Sequence, residues 1–231
     1  MQNKRDKQNA RASRKKNKSE KLYISSFEQY IGRFFFFFLR TYIYTKIKVK
    51  ITGKENLNHG YKNVFIVANH QSHLDTPILL SCFSFKQRQR ISIAAAHDHF
   101  FKSRSKARIR FLRILYGIFP FYRKSGVHKN IMNIEILVER NRSILLFPEG
   151  SRSKNGEMGT FKAGIGMLVH RFKIPVIPIK LTGLHELLPP DSRIIKSGKA
   201  SVSIGKPMIF SEEQSYEEIS KILEDTIRAL D

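Results

Sequence analysis

Val64-Phe65-Ile66-Val67-Ala68-Asn69-His70-Gln71-Ser72-His73-Leu74-Asp75-Thr76-Pro77 passes from a short apolar, β-branched run through a polar cluster to a proline. The apolar run reads as a strand, and Pro77 suits the first turn of a helix that begins near Thr76. A strand that hands over to a helix through a polar turn is the unit of a layered α/β fold. In open α/β sheets ligands gather at the carboxyl ends of strands, so this turn is a candidate site before any other residue is considered.

The same alternation extends in both directions. Lys46–Thr52 alternates Ile and Val with Lys and ends at Gly53, as a half-exposed strand does. Ile91–Ala96, Ile144–Phe147, Val176–Leu181 and Ala200–Ile204 are further strand-like runs. Helical spacing marks Pro77–Phe85, Ala107–Tyr116, Asn130–Glu139, Gly164–Arg171 and Ser211–Leu230, the last with Ser211 as its cap. Strands alternating with helices predict one α/β domain over residues 46–231 with a mainly parallel sheet.

His70 and Asp75 form the pattern H-x-x-x-x-D. In one continuous helix, residues five apart lie about 140° apart and do not face each other. A turn from strand to helix instead lets Asp75 fold back onto the His70 ring. A carboxylate bonded to one ring nitrogen fixes the tautomer and leaves the other nitrogen free to take a proton. No serine or cysteine nucleophile is then required, because an acceptor hydroxyl can attack directly. The plainer reading is a helix entry capped by Ser72 or Asp75, with His70 merely packed. A metal reading also stands open, in which His70 and His73 join Asp75, His97 or His99 around a cation.

A second polar run, Phe147-Pro148-Glu149-Gly150-Ser151-Arg152-Ser153, follows the strand Ile144–Phe147. Gly150 permits an unusual backbone angle or the close approach of a ligand. Ser151 and Ser153 are suited to donate to phosphate oxygens, and Arg152 to grip them in bidentate fashion. Glu149 is placed to orient a ligand hydroxyl or to hold Arg152. A solvated turn is the plain alternative. Glu149-Gly150-Ser151 does not match the G-x-S-x-G elbow, which excludes a serine hydrolase of that kind. Arg123, at the end of an aromatic run within Gly117–Lys124, reads equally as a surface charge or a second phosphate contact, and Lys162 supplies a further cation. Neither a Walker A sequence nor G-x-G-x-x-G occurs, so nucleotide-cofactor readings lack their motif.

Charge narrows the partners. Against 19 Asp and Glu stand 42 Lys and Arg, a formal net charge of +23 in 231 residues. Such an excess predicts an anionic partner, either nucleic acid or an anionic membrane face. Residues 1–25 form a basic tail expected to be disordered, either solubilising or adhering to anionic lipid. From residue 26 to 45 the chain reads as a helix at a membrane interface. Phe27, Ile31, Phe34, Phe35, Phe38 and Tyr42 share one side at helical spacing, and Arg33 and Arg40 lie opposite, with stems long enough to snorkel toward headgroups. The pattern is imperfect: Glu28 falls near the apolar side, and Phe36 and Phe37 flank the arginines. A core helix is the competing reading. The aromatics cluster in this helix and Trp is absent, which argues against spaced stacking platforms for nucleic acid. No apolar run approaches the ~20 residues of a membrane span, and no secretory signal is expected. Cys82 is the only cysteine, so neither an intrachain disulfide nor a cysteine-based zinc site is possible, and the thiol reads as a small buried hydrophobe.

Taken in order, Asn69–Asp75 and Phe147–Ser153 resemble the first and third motifs of the glycerolipid acyltransferases, the superfamily of the 1-acylglycerol-3-phosphate acyltransferases. Lys50–Leu57 resembles the segment that leads into that fold, Phe119–Arg123 the second motif, Val176–Gly183 the fourth, and Ser203–Met208 a late strand with G-x-P. The resemblance covers about residues 46–210. It implies a sheet with helices on both faces, His70 as general base on an acceptor hydroxyl, and Asp75 orienting it. Arg123, Glu149, Gly150, Ser151 and Arg152, with Lys162, would bind the phosphate-bearing acceptor. It further implies an acyl-CoA or acyl-acyl carrier protein co-substrate with no other cofactor and no metal, membrane lipids and a lysophospholipid as partners, and attachment to the cytoplasmic face of a membrane. The expected product is phosphatidic acid from 1-acylglycerol-3-phosphate. Another lysolipid or alcohol acceptor, or a non-catalytic lipid-binding scaffold, are the alternatives. Ala95-Ala96-His97-Asp98-His99-Phe100-Phe101 departs from the lysine common at this place in the lysophosphatidate enzymes, which bears on the acceptor more than on the reaction.

Overall fold

The computed structural model describes residues 25–58, 60–101, 105–123, 126–189 and 191–231. The basic tail over residues 1–24, and Lys124 after the aromatic run, lie outside the described residues.

A 21-residue helix α1 (Ser26–Lys46) leads into β1 (Ile47–Thr52). A 3₁₀ turn follows, then β2 (Phe65–Ala68), α2 (Asp75–Ser81), α3 (Phe85–Arg88), β3 (Ile91–Ala96), α4 (His97–Phe100) and α5 (Lys106–Tyr116). The chain continues through β4 (Ile118–Phe121), α6 (Val127–Glu139), β5 (Ser143–Leu146), α7 (Gly164–Phe172), β6 (Val176–Thr182), α8 (Leu184–Leu187), β7 (Gly198–Ile204) and α9 (Tyr216–Ala229). The seven strands form one sheet in the order β1-β7-β6-β2-β5-β3-β4. All pairs are parallel except β6 with β7, which are antiparallel from Ile179↔Ile204 to Thr182↔Ser201. The expected mainly parallel sheet is therefore present.

β2 sits in the middle, hydrogen-bonded to β5 and β6, and all four of its residues are buried. Because side chains alternate across a strand, Ile66 and Ala68 join the core on one face with Ile78 and Leu79 of α2 and Phe36 and Ile43 of α1. Phe65 and Val67 join the other with Ile134 of α6, Leu168 of α7 and Leu223 of α9. A strand apolar on both sides is what two helical layers require, and it fixes the carboxyl end of β2 at the centre of the sheet.

Two helical expectations change. Pro77–Phe85 is not one helix: α2 begins at Asp75 and ends at Ser81, and α3 starts afresh behind Ser84, whose hydroxyl and Gln87 form a capping box. The last helix begins at Tyr216, not behind Ser211. Ser215 caps it, accepting from the Glu218 amide while the Glu218 carboxylate accepts from the Ser215 amide at 2.7 Å. Ser211 has Gln214 three residues on, and Gln214 Oε1 accepts from the Ser211 amide at 2.8 Å, but the Ser211 hydroxyl accepts from the Glu213 amide and the reciprocal pair closes only at Ser215.

α1 packs on the domain through Phe36 and Ile43, 1 % and 2 % exposed. Gly32 lets it approach α5 closely, since a Cβ there would stand 2.3 Å from the Ile114 carbonyl oxygen. Arg110 of α5 pairs with Glu28, and Phe111 meets Phe35 edge-on at 5.5 Å. Phe27, Phe34, Phe35, Phe37, Phe38 and Tyr42 remain exposed. Arg33 and Arg40, expected opposite the aromatic side with stems reaching toward headgroups, are exposed. The Arg33 guanidinium lies 4.6 Å above the Phe85 ring, and Arg40 lies over Tyr44 at 5.1 Å, so both stack on aromatic faces. Among the described residues no helix is long and apolar enough to cross a membrane.

Candidate active site

The turn after β2 is held at every step by its own polar side chains. Asn69, 2 % exposed, continues the sheet with its amide: Nδ2 donates to the Leu181 carbonyl at 2.9 Å and Oδ1 accepts from the Leu181 amide at 2.7 Å. Ser72 Oγ donates to the Leu188 carbonyl at 2.6 Å, and Gln71 Nε2 to the Gly156 carbonyl at 2.6 Å. With the turn fixed, Asp75 at the start of α2 points back. Its Oδ2 lies 2.6 Å from His70 Nδ1 and accepts the backbone N–H groups of Gln71 at 2.6 Å and Ser72 at 2.8 Å. Asp75 is fully buried, whereas the His70 side chain retains 22 % exposure. The imidazole stacks on Phe147 with ring centroids 4.1 Å apart. One ring nitrogen is thus committed to a buried carboxylate and the ring plane is clamped, which leaves Nε2 as the nitrogen available to an incoming group.

The run after β5 wraps around this turn. Ser153 donates its amide to the His70 carbonyl at 2.8 Å. Glu149 was expected to face a ligand hydroxyl or Arg152. Instead its Oε1 accepts the His70 amide at 2.7 Å and its Oε2 the Gly159 amide at 2.9 Å, with the residue 8 % exposed. Burial pushes its carboxyl above the usual carboxylate range, against the opposing pull of those two amides. Gly150 has φ +76°, a backbone conformation that favours glycine, and the Lys162 ammonium lies over it, 2.7 Å from where a Cβ would stand.

The cations arrive from separate elements. Arg123, following β4, donates Nη1 to the Gly150 carbonyl at 2.8 Å and forms a two-point ion pair with Asp98. That pairing holds the Asp98 carboxyl below the usual range. Arg152 donates to His73 Nε2. Burial, and next the Arg152 cation, lower the His73 pKa, which keeps that imidazole a neutral acceptor. Ser151 is exposed beside them. His97 stacks on Tyr122 at 4.4 Å. Among the described residues no group of three or more His, Cys, Asp or Glu is arranged to hold a metal ion, and the His70, His73, His97 and His99 alternative has no such geometry. Sequence reasoning did not single out Asn69, Phe147 or Asp98 for roles. Their one signal was position, since each stands within a residue or two of a strand's carboxyl end.

The family model named Acyltransferase matches residues 48–182. The chain belongs to the acyltransferase family. It is 30 % identical over 203 residues to a chloroplastic 1-acyl-sn-glycerol-3-phosphate acyltransferase of Brassica napus, spanning 82 % of this chain and 55 % of that protein. A chloroplastic enzyme of the same name from Arabidopsis thaliana is 30 % identical over 197 residues, 80 % of this chain and 52 % of its own length. The chain thus spans about half the length of these curated relatives. Its fold is also that of the crystal structure of PlsC, the 1-acyl-sn-glycerophosphate acyltransferase from Thermotoga maritima, with TM-score 0.62 at 22 % identity over 94 % of this chain and 80 % of that one.

Proposed function

We propose that this acyltransferase-family chain moves a fatty acyl group from a thioester, acyl-CoA or acyl-acyl carrier protein, to the free hydroxyl of 1-acylglycerol-3-phosphate, giving phosphatidic acid. The observation that carries the reading is the buried Asp75 carboxylate on His70 Nδ1 at 2.6 Å, with the ring partly exposed. His70 Nε2 takes the proton of the acceptor hydroxyl as its oxygen attacks the thioester carbonyl, and Asp75 stabilises the imidazolium that forms. Collapse of the tetrahedral intermediate breaks the C–S bond. The thiolate receives the proton from His70 and leaves as thiol.

Arg152 and Lys162, with Arg123 held at Gly150, supply positive charge for the acceptor phosphate. The relatives' names, lysophosphatidate-type acyltransferases, support this acceptor. The exposed aromatic face of α1 supports work at a membrane surface, the cytoplasmic one in this reading.

The deciding experiment is an acyl-transfer assay in lipid with lysophosphatidate, other lysolipids and a neutral alcohol, comparing wild type with His70→Ala. A fall of ~100-fold or more in kcat/KM is expected. Normal turnover in the variant would sink the mechanism, and no product with either donor class would sink the reaction.

A further inference from the structure

At the opposite end of the sheet from His70, six side chains surround an open cavity of about 310 Å³: Gln29 of α1, Lys86, Gln89 and Arg90 of the α3–β3 corner, and Arg140 and Arg142 of the α6–β5 turn. The place follows from topology. Arg90 and Arg142 immediately precede β3 and β5, which run parallel, so the cavity lies at their amino ends while the Glu149 loop leaves the carboxyl end of β5. Cations and amides line it, with no carboxylate among them. Cations gathered around one space raise the local positive potential and favour the entry of an anion. Arg142 is held in place, its Nε donating to Ser92 Oγ at 2.6 Å and Nη2 to the Ile91 carbonyl at 2.9 Å. Guanidinium, ammonium and amide donors converging on one space match the oxygens of a phosphate. Gln29 sits near the start of α1 on the helix side that carries Gly32 and Phe36 and packs on the domain, so the cleft opens between α1 and the α3–β3 corner.

We propose that this cleft binds a phosphate group, supplied by a phospholipid headgroup or by a soluble phosphate. It uses none of the residues assigned to acyl transfer and is independent of that reading. A headgroup seated there adds a polar anchor at one end of α1 and sets the tilt of the helix on the bilayer.

The test uses the full chain. Lys86→Glu/Arg90→Glu/Arg140→Glu reverses three exposed charges at the cleft. Lys48→Glu/Lys50→Glu/Lys199→Glu makes the same charge change on edge strand β1 and its neighbour β7. Binding is measured to phosphatidylcholine vesicles with and without phosphatidylglycerol, whose phosphate has no choline cation to offset its charge and which is not the proposed product. Inorganic phosphate is titrated separately while the side-chain amide NMR signals of Gln29 and Gln89 are followed.

The cleft variant is expected to bind phosphatidylglycerol vesicles at least about tenfold more weakly than the edge variant, which assigns a headgroup. Equal vesicle binding by the two variants, with millimolar phosphate shifting the two amide signals of the wild type, assigns a soluble phosphate. Equal binding with no shift overturns the proposal. Acyl transfer to a short-chain soluble acceptor stays at the wild-type level in the cleft variant, which separates this outcome from failure of the acyl-transfer reading. Lys86→Gln/Arg90→Gln repeats the comparison should the triple reversal not fold.

Discussion

The Glu149 carboxylate accepts the backbone N–H of His70 at 2.7 Å and that of Gly159 at 2.9 Å, so one buried side chain ties the β2 turn to the loop that follows β5. Its two oxygens are both engaged by the protein's own backbone. Glu149 therefore acts on His70 through position. Glu149→Gln keeps the volume but turns an acceptor into a donor that faces another donor. A hydrogen bond to a charged group contributes about 1.5–3 kcal/mol, so kcat is expected to fall about 10- to 100-fold while KM for the acceptor changes little. The opposite split, KM raised at constant kcat, would place Glu149 on the substrate.

The same carboxyl gives stability a pH dependence of defined sign. Desolvation raises its folded-state pKa above the unfolded value, so the native state binds the extra proton between the two. This contribution is present in full below the unfolded pKa and is lost as pH rises through the folded one. The difference in unfolding free energy between wild type and Glu149→Gln, followed by urea denaturation from acid to neutral pH, is expected to move against the wild type as pH rises. A flat difference would mean that the carboxyl titrates alike in both states.

The sequence made six of the seven strands and the β2 turn legible because their signals are local, while β4, Ile118–Phe121, was hidden in an aromatic run around Pro120. Phe65–Ala68 is apolar throughout and lies where both sheet faces are covered, and His70 and Asp75 are brought together by residues between them. What remained hidden depends on distant partners. Whether Glu149 faces a ligand or a backbone amide is decided by the chain path 79 residues away, and the pairing of Arg123 with Asp98 by the packing of β4 on β3. The run Phe34–Phe38 offered too many equivalent rings for periodicity to choose the buried one. Contact with α5 at Gly32, and with Arg88 at 3.9 Å from the Phe36 ring, made that choice.

Cys82 follows α2 in the core, 2 % exposed, and burial pushes its thiol up to about 12. The thiolate is the reactive form, so the native protein is expected to resist thiol reagents at neutral pH. Labelling should appear only with denaturant and follow the unfolding transition. Rapid labelling of the folded protein would show that the core opens locally around α2.

Adjacent rings in α1 give separate tests of folding and of the proposed membrane contact. Phe36 is 1 % exposed and packs between the helix and the sheet layer, while Phe37 is 59 % exposed. Removing the first leaves a cavity, so Phe36→Ala is expected to cost about 3–5 kcal/mol of stability by chemical denaturation. Phe37→Ala should stay within about 0.5 kcal/mol. Vesicle partitioning is expected to show the reverse order. Burying a phenylalanine in an apolar phase contributes about 1.5–3 kcal/mol, so Phe37→Ala should weaken binding roughly tenfold or more. The Phe36→Ala protein that remains folded should bind as the wild type does, because its ring never faces the lipid. If Phe37→Ala binds vesicles as well as the wild type, the aromatic face of α1 is not seated in the bilayer, and the membrane contact belongs to charge alone.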